Sequence, residues 1–122
     1  MDKDYIMRIA QTARQQLLGM TPVAVIWSWG IHKFEATVFN DMPALRFHVN
    51  GRLFKGHVIV ALNDSDYYEV YFQNTLGIKC VNDEVCFNEL GEVIDTAIES
   101  GTDKEEYDNF CHQQMSKLFS NS

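Results

Sequence analysis

The chain has 122 residues, 46% hydrophobic and 22% charged, with a formal net charge of −7. That length and balance give a single domain, 1–122, able to bury a core, and exclude a disordered polar chain. The net acid disfavours broad nucleic-acid binding, because phosphate repels it at long range.

The first element reads as a helix over 4–18. Ile6, Ile9, Ala10, Ala13 and Leu17 follow one helical face, with Asp2 or Asp4 as its cap and Gly19 at its end. Thr21-Pro22 breaks the period. Residues 23–29 are apolar and β-branched, so they read as a strand stopped by Gly30. On that strand Trp27 and Trp29 share one face, either as core or as an aromatic interaction surface. Residues 31–40 read as a short strand or an irregular connection.

Residues 44–50 alternate, with Leu45, Phe47 and Val49 inward and Arg46, His48 and Asn50 outward. Asn50-Gly51 suits a two-residue hairpin turn, which would set Arg46 across from Lys55. A turn nearer Leu53-Phe54 would set Arg46 against Ala61 instead. Residues 57–62 are apolar on both faces, like a central strand, and 67–72 alternate again. Matching Val58, Val60 and Leu62 to Tyr68, Val70 and Phe72 sets Leu62 opposite Tyr68. That register requires an odd loop, Asp64-Ser65-Asp66, because a slip of one residue inverts the face. Residues 78–81 form a short last strand. A second helix follows over 87–100, with Gly91 inside it by close packing, and Thr102-Asp103-Lys104-Glu105 caps a third. The expected fold is α+β: an N-terminal helix, an antiparallel meander sheet of four to five strands, and two C-terminal helices. The first two helices cover one sheet face.

Charge is unevenly placed. Residues 42–63 hold Arg46, Arg52 and Lys55 and none of the 17 acids, whereas 64–122 set 3 bases against 13 acids. Arg46, His48, Arg52, Lys55 and His57 therefore form a candidate patch for an anion or nucleic acid. Tyr67 and Tyr71 on the same outer face could stack bases. The plainer reading is a solvated sheet face whose charges discourage strand pairing.

Cys80, Cys86, Cys111 and His112 do not make a metal site. Their spacing is wrong for a zinc knuckle, and consecutive helical residues diverge by about 100°. No phosphate loop or dinucleotide fingerprint is present, so no cofactor is expected. Three cysteines at irregular spacing give no disulfide framework. With no apolar run long enough for a membrane or a signal peptide, the expected setting is cytoplasmic, with no membrane partner.

Gln15-Gln16-Leu17-Leu18, Met42-Pro43-Ala44-Leu45-Arg46-Phe47, residues 58–63, Tyr68-Glu69-Val70-Tyr71-Phe72 and Leu90-Gly91-Glu92-Val93-Ile94-Asp95 together resemble a known group. It comprises small uncharacterised proteins of Bacteroides-type bacteria and their phage or conjugative elements. The resemblance implies a bacterial or mobile-element origin and a cytoplasmic location, and carries over no catalytic residue. The expected function is a non-enzymatic binding module, as a homodimer or with another protein. A binder of single-stranded nucleic acid or a phosphate ligand at 42–63 is the alternative. A small enzyme with His48 or His57 as general base ranks third.

Overall fold

The computed structural model describes residues 1–51 and 54–100. Helix α1, Lys3–Met20, is followed by a short helix α2, Val23–Ser28. Five strands come next: β1 (His32–Phe39), β2 (Met42–Asn50), β3 (Lys55–Leu62), β4 (Tyr68–Asn74) and β5 (Gly77–Val85). They form one antiparallel meander in the order β1-β2-β3-β4-β5. A 3-10 turn, Phe87–Glu89, then leads into helix α3, Leu90–Asp95, which widens into a π-helical turn at Thr96–Ser100. The α+β class holds, and the sheet has five strands. Of the two C-terminal helices expected, the first is this broken helix; the second falls outside the described residues.

Helix α1 starts where Asp2 accepts from the Asp4 amide at 3.2 Å. Ala10, Ala13 and Leu17 are buried, as the helical spacing required. They pack with the inward residues Leu45, Phe47, Val49, Val58, Val60, Val70 and Phe72 of the sheet. Leu90, Ile94 and Ile98 close the same core. Gly91 is explained by contact: a Cβ there would collide with the Thr21 hydroxyl.

The alternation in β2 is as read, with Leu45, Phe47 and Val49 buried and Asn50 exposed. The second hairpin has the odd loop, since Leu62 pairs with Tyr68. Asn63 organises it: its side-chain oxygen accepts from the amides of Ser65 at 2.9 Å and Tyr67 at 3.1 Å. Asp66 takes the left-handed conformation that closes such a loop, φ 64°.

Three expectations are corrected. The stretch 23–29 is helical, not a strand. Val25, Ile26 and Trp29 turn toward the core while Val23 and Trp27 stay exposed, and that is a helical spacing. Pro22 starts the helix and Gly30, at φ 59°, ends it. Local β propensity is a weak prior when a core offers a helical stripe somewhere to pack.

The first hairpin has neither expected register, since Arg46 faces neither Lys55 nor Ala61. Asn50 pairs with Lys55, Gly51 donates to the Phe54 carbonyl at 3.0 Å, and Arg46 lies opposite Ile59. The longer loop lets Phe54 enter the core and stack on Phe72, with ring centroids 4.4 Å apart. Residues 31–40 contain a full strand, closed onto β2 by Asn40-Asp41. Both of these residues have positive φ, 49° and 62°, as a type I′ turn demands.

Candidate functional site

The outer face of the sheet carries its own small apolar cluster. Ala44, Ile59 and Ala61 are buried there, with Phe39, Met42 and Tyr71 packed against them. Among the described residues no helical residue belongs to this cluster, and α1 and α3 pack on the opposite face. Tyr71 donates to Glu69 Oε1 at 2.6 Å, and the Asn63 amide donates to Glu69 Oε2 at 3.1 Å. That bond to Glu69 pushes the Tyr71 phenol well above its ordinary range, with burial adding to it.

Register then assembles a group that no local motif announces. His32 pairs with His48, and His48 pairs with His57, so three imidazoles stand in a row across β1, β2 and β3. Their ring centroids are 4.5 Å and 5.2 Å apart. One row over, Glu35, Arg46, Ile59, Tyr71 and Cys80 are aligned in the same way. Arg46 Nε lies 3.3 Å from Glu35 Oε1, an ion pair too exposed to add more than about 1 kcal/mol.

Arg46 Nη2 also donates to His57 Nε2 at 3.4 Å. A guanidinium only donates, so His57 must be neutral with its proton on Nδ1. His32 Nδ1 donates to the Gly30 carbonyl at 3.2 Å, so in the neutral ring Nε2 carries the lone pair. His48 Nδ1 is buried and has no hydrogen-bond partner among the described residues.

Desolvation lowers the His48 pKa below 6.5, with His32 and Lys33 adding like charge. It lowers that of His57 too, with Arg46, His48 and Lys33 opposing its protonation and Glu35 favouring it. Because both folded values lie below the unfolded one, the unfolded chain takes up protons first as pH falls through 6.5. Stability is therefore expected to decline just below that pH and to level off once the folded-state values are passed. Urea midpoints between pH 7.5 and 5 check this. The decline should shrink when both His48 and His57 are replaced by Gln; a midpoint rising into acid would contradict it.

The structure thus brings Arg46, His48 and His57 together. Lys55 is exposed, two pairs nearer the hairpin end, opposite Asn50. Arg52 lies outside the described residues. His32, missed at the level of sequence, completes the row. Its signal was available only through the β1 register, which depends on a bulge between His32 and Glu35. Among the described residues, no group of three or more His, Cys, Asp or Glu is placed to hold a metal.

The aromatic candidates separate. Trp29 is fully buried, and its indole donates to Asp95 Oδ1 at 3.1 Å, so it is core and not surface. Tyr67 and Tyr71 are half-buried, Tyr67 beside the loop and Tyr71 against Phe39. Trp27 is 79% exposed, with Val23 at 68% four residues earlier on the same helical face and Met20 at 53%. No helix among the described residues is long and apolar enough to cross a membrane. Comparison with protein-family models, curated proteins and solved structures gave no match.

Proposed function

We propose that this chain is a non-enzymatic binding module that self-associates, docking through Trp27 and Val23 on α2. The observation that carries the reading is the exposure of Trp27, an apolar side chain with the area of an interface anchor. Helix α2 has no fully buried residue of its own, so its outer face contributes little to the fold.

The edges of the sheet favour this surface over strand addition. Strand β1 is bulged, with Lys33 at φ 58°, and the β4–β5 pairing shifts register twice. Such irregularities blunt pairing with another chain. The two cysteines among the described residues fit as well: burial raises the Cys80 pKa, and Glu89 raises that of Cys86, so neither is an activated thiolate. The resemblance to proteins of Bacteroides-type bacteria and their mobile elements makes a bacterial cytoplasm the proposed setting.

Light scattering coupled to size exclusion tests the proposal. The wild-type chain is expected to reach dimer mass at tens of micromolar, and Trp27→Glu to elute as a monomer whose unfolding midpoint equals that of the wild type in dilute, monomeric solution. A strict monomer for the wild type at high micromolar concentration, or a Trp27→Glu protein that still dimerises, would overturn it.

A further inference from the structure

The outer face holds a second site, on different strands and with different chemistry from Trp27. We infer that the His32–His48–His57 row, flanked by Arg46, binds one dianionic oxyanion group of the phosphate type and takes up protons as it does so.

Three observations converge. First, the register places three imidazoles side by side on rigid strands, over a span of about 10 Å. That width suits a single tetrahedral anion and is too short to track a nucleic-acid strand. Second, the charges that face this row are mostly of one sign. Strand β1 brings Lys33 and Glu35, β2 brings Arg46, and β3 brings Lys55 at its start. Strand β4 sets uncharged Gln73 opposite His57, and β5 sets Ile78 opposite Gln73. Among the described residues that face the row Glu35 is the one acid, and it is already paired with Arg46. Glu69 is farther along β4 and is held by Tyr71 and Asn63.

Third, the row's own polar atoms are poorly satisfied. His48 Nδ1 is buried without a partner, and His57 can offer only a lone pair to Arg46. A buried polar atom without a partner costs about 1–3 kcal/mol, and among the described residues no hydrogen bond through Nδ1 holds the His48 ring in its orientation. A dianion acts on the row by stabilising the imidazolium forms. Each protonated ring then donates from both nitrogens, and Arg46 can turn from His57 Nε2 to the anion. The protons come from solvent, so the affinity must rise as pH falls.

Polymeric nucleic acid fits less well. The chain carries −7 overall, and the outer-face aromatics Phe39 and Tyr71 pack on each other, with Tyr71 bonded to Glu69, an acid that repels phosphate. The patch therefore recognises a phosphate group on a small molecule, without a stacking platform for successive bases.

Inorganic sulfate is the probe, because it remains a dianion from pH 5 to 8. Imidazole resonances of the wild-type chain are followed by NMR as sulfate replaces chloride at constant ionic strength. The expected result is saturable binding that shifts the titrations of all three histidines upward and tightens at least about tenfold between pH 8 and 5.5. His48→Gln, on a half-buried outer position, should weaken binding about tenfold or more. His32→Gln, on an exposed position of β1, should weaken it with less than about 1 kcal/mol of effect on folding. Sulfate that moves none of the three resonances, affinity that ignores pH, or variants that bind as the wild type does would each overturn the assignment. So would tighter binding of a single-stranded oligonucleotide with a steep salt dependence, which would indicate a polymer site.

Discussion

Trp29→Ala is expected to lower the unfolding free energy by about 3–5 kcal/mol, whereas Trp27→Ala should change it by less than about 0.5 kcal/mol. The two residues are two positions apart, yet they differ completely in environment. Trp29 is fully buried within the cluster that joins α1, the inner sheet face and α3. Its indole reaches Asp95, 66 residues away in sequence, and its carbonyl accepts from the Asn50 amide at 2.7 Å. Truncating it opens a cavity where α2, β2 and α3 meet and leaves the Asp95 carboxylate without that donor. The backbone bond to Asn50 survives, so the loss is one of packing and of the indole bond. Trp29→Phe separates the two: it keeps most of the volume and should cost well under the alanine value. Urea unfolding monitored by circular dichroism measures all three variants, and equal midpoints for Trp27→Ala and Trp29→Ala would contradict the assignment.

Gly56→Ala is the second large effect, at about 2–4 kcal/mol, combining a strained backbone with overpacking. Gly56 sits at φ 153°, a conformation that L-residues rarely adopt. A Cβ there would collide with the Gln73 carbonyl on β4 and come within 3.0 Å of the Phe54 ring. Neither neighbour can yield cheaply. Gln73 belongs to the backbone of the adjacent strand, and Phe54 is stacked on Phe72 in the core. The position thus couples the entry of the hairpin loop into the core to the strand that carries His57. The same denaturation measurement checks it. A midpoint within error of the wild type would mean that the close approach is absent in solution.

Much of the architecture was legible in the residues because burial acts on periodicity. The face of α1 and the alternation of β2 follow directly from which side chains leave water. The loop at Asp64-Ser65-Asp66 followed from parity, since only an odd loop kept Val60 and Val70 on the same face and this is the simplest one. Helix α2 was not legible, because a run of seven residues, apolar but for Ser28, satisfies either period and its β-branched members favour the wrong one. What decided it was tertiary: the core accepts Val25, Ile26 and Trp29 as a stripe. The first hairpin was misread because Asn50-Gly51 is a strong local signal, and the burial of Phe54 outweighed it. The true two-residue turn, Asn40-Asp41, relies on two residues that tolerate positive φ without glycine.

The candidate site was half legible for the same reason. Arg46, His48 and His57 could be placed on the outer face by alternation alone. His32 needed the register across a bulge, which no spacing rule gives. The two proposals about this molecule therefore stand on different grounds: one on an exposed apolar residue of α2, the other on a row of imidazoles created by strand pairing.

Iodide quenching of tryptophan fluorescence tests the Trp27 surface most directly. Only Trp27 is open to solvent, so the quenchable signal reports on it without any mutation. In dilute solution that fraction should be quenched readily; as concentration rises through the association range it should become protected, in step with the increase in mass. A quenchable fraction that stays constant while the chain associates would contradict the account, because a different surface would then hold the copies together.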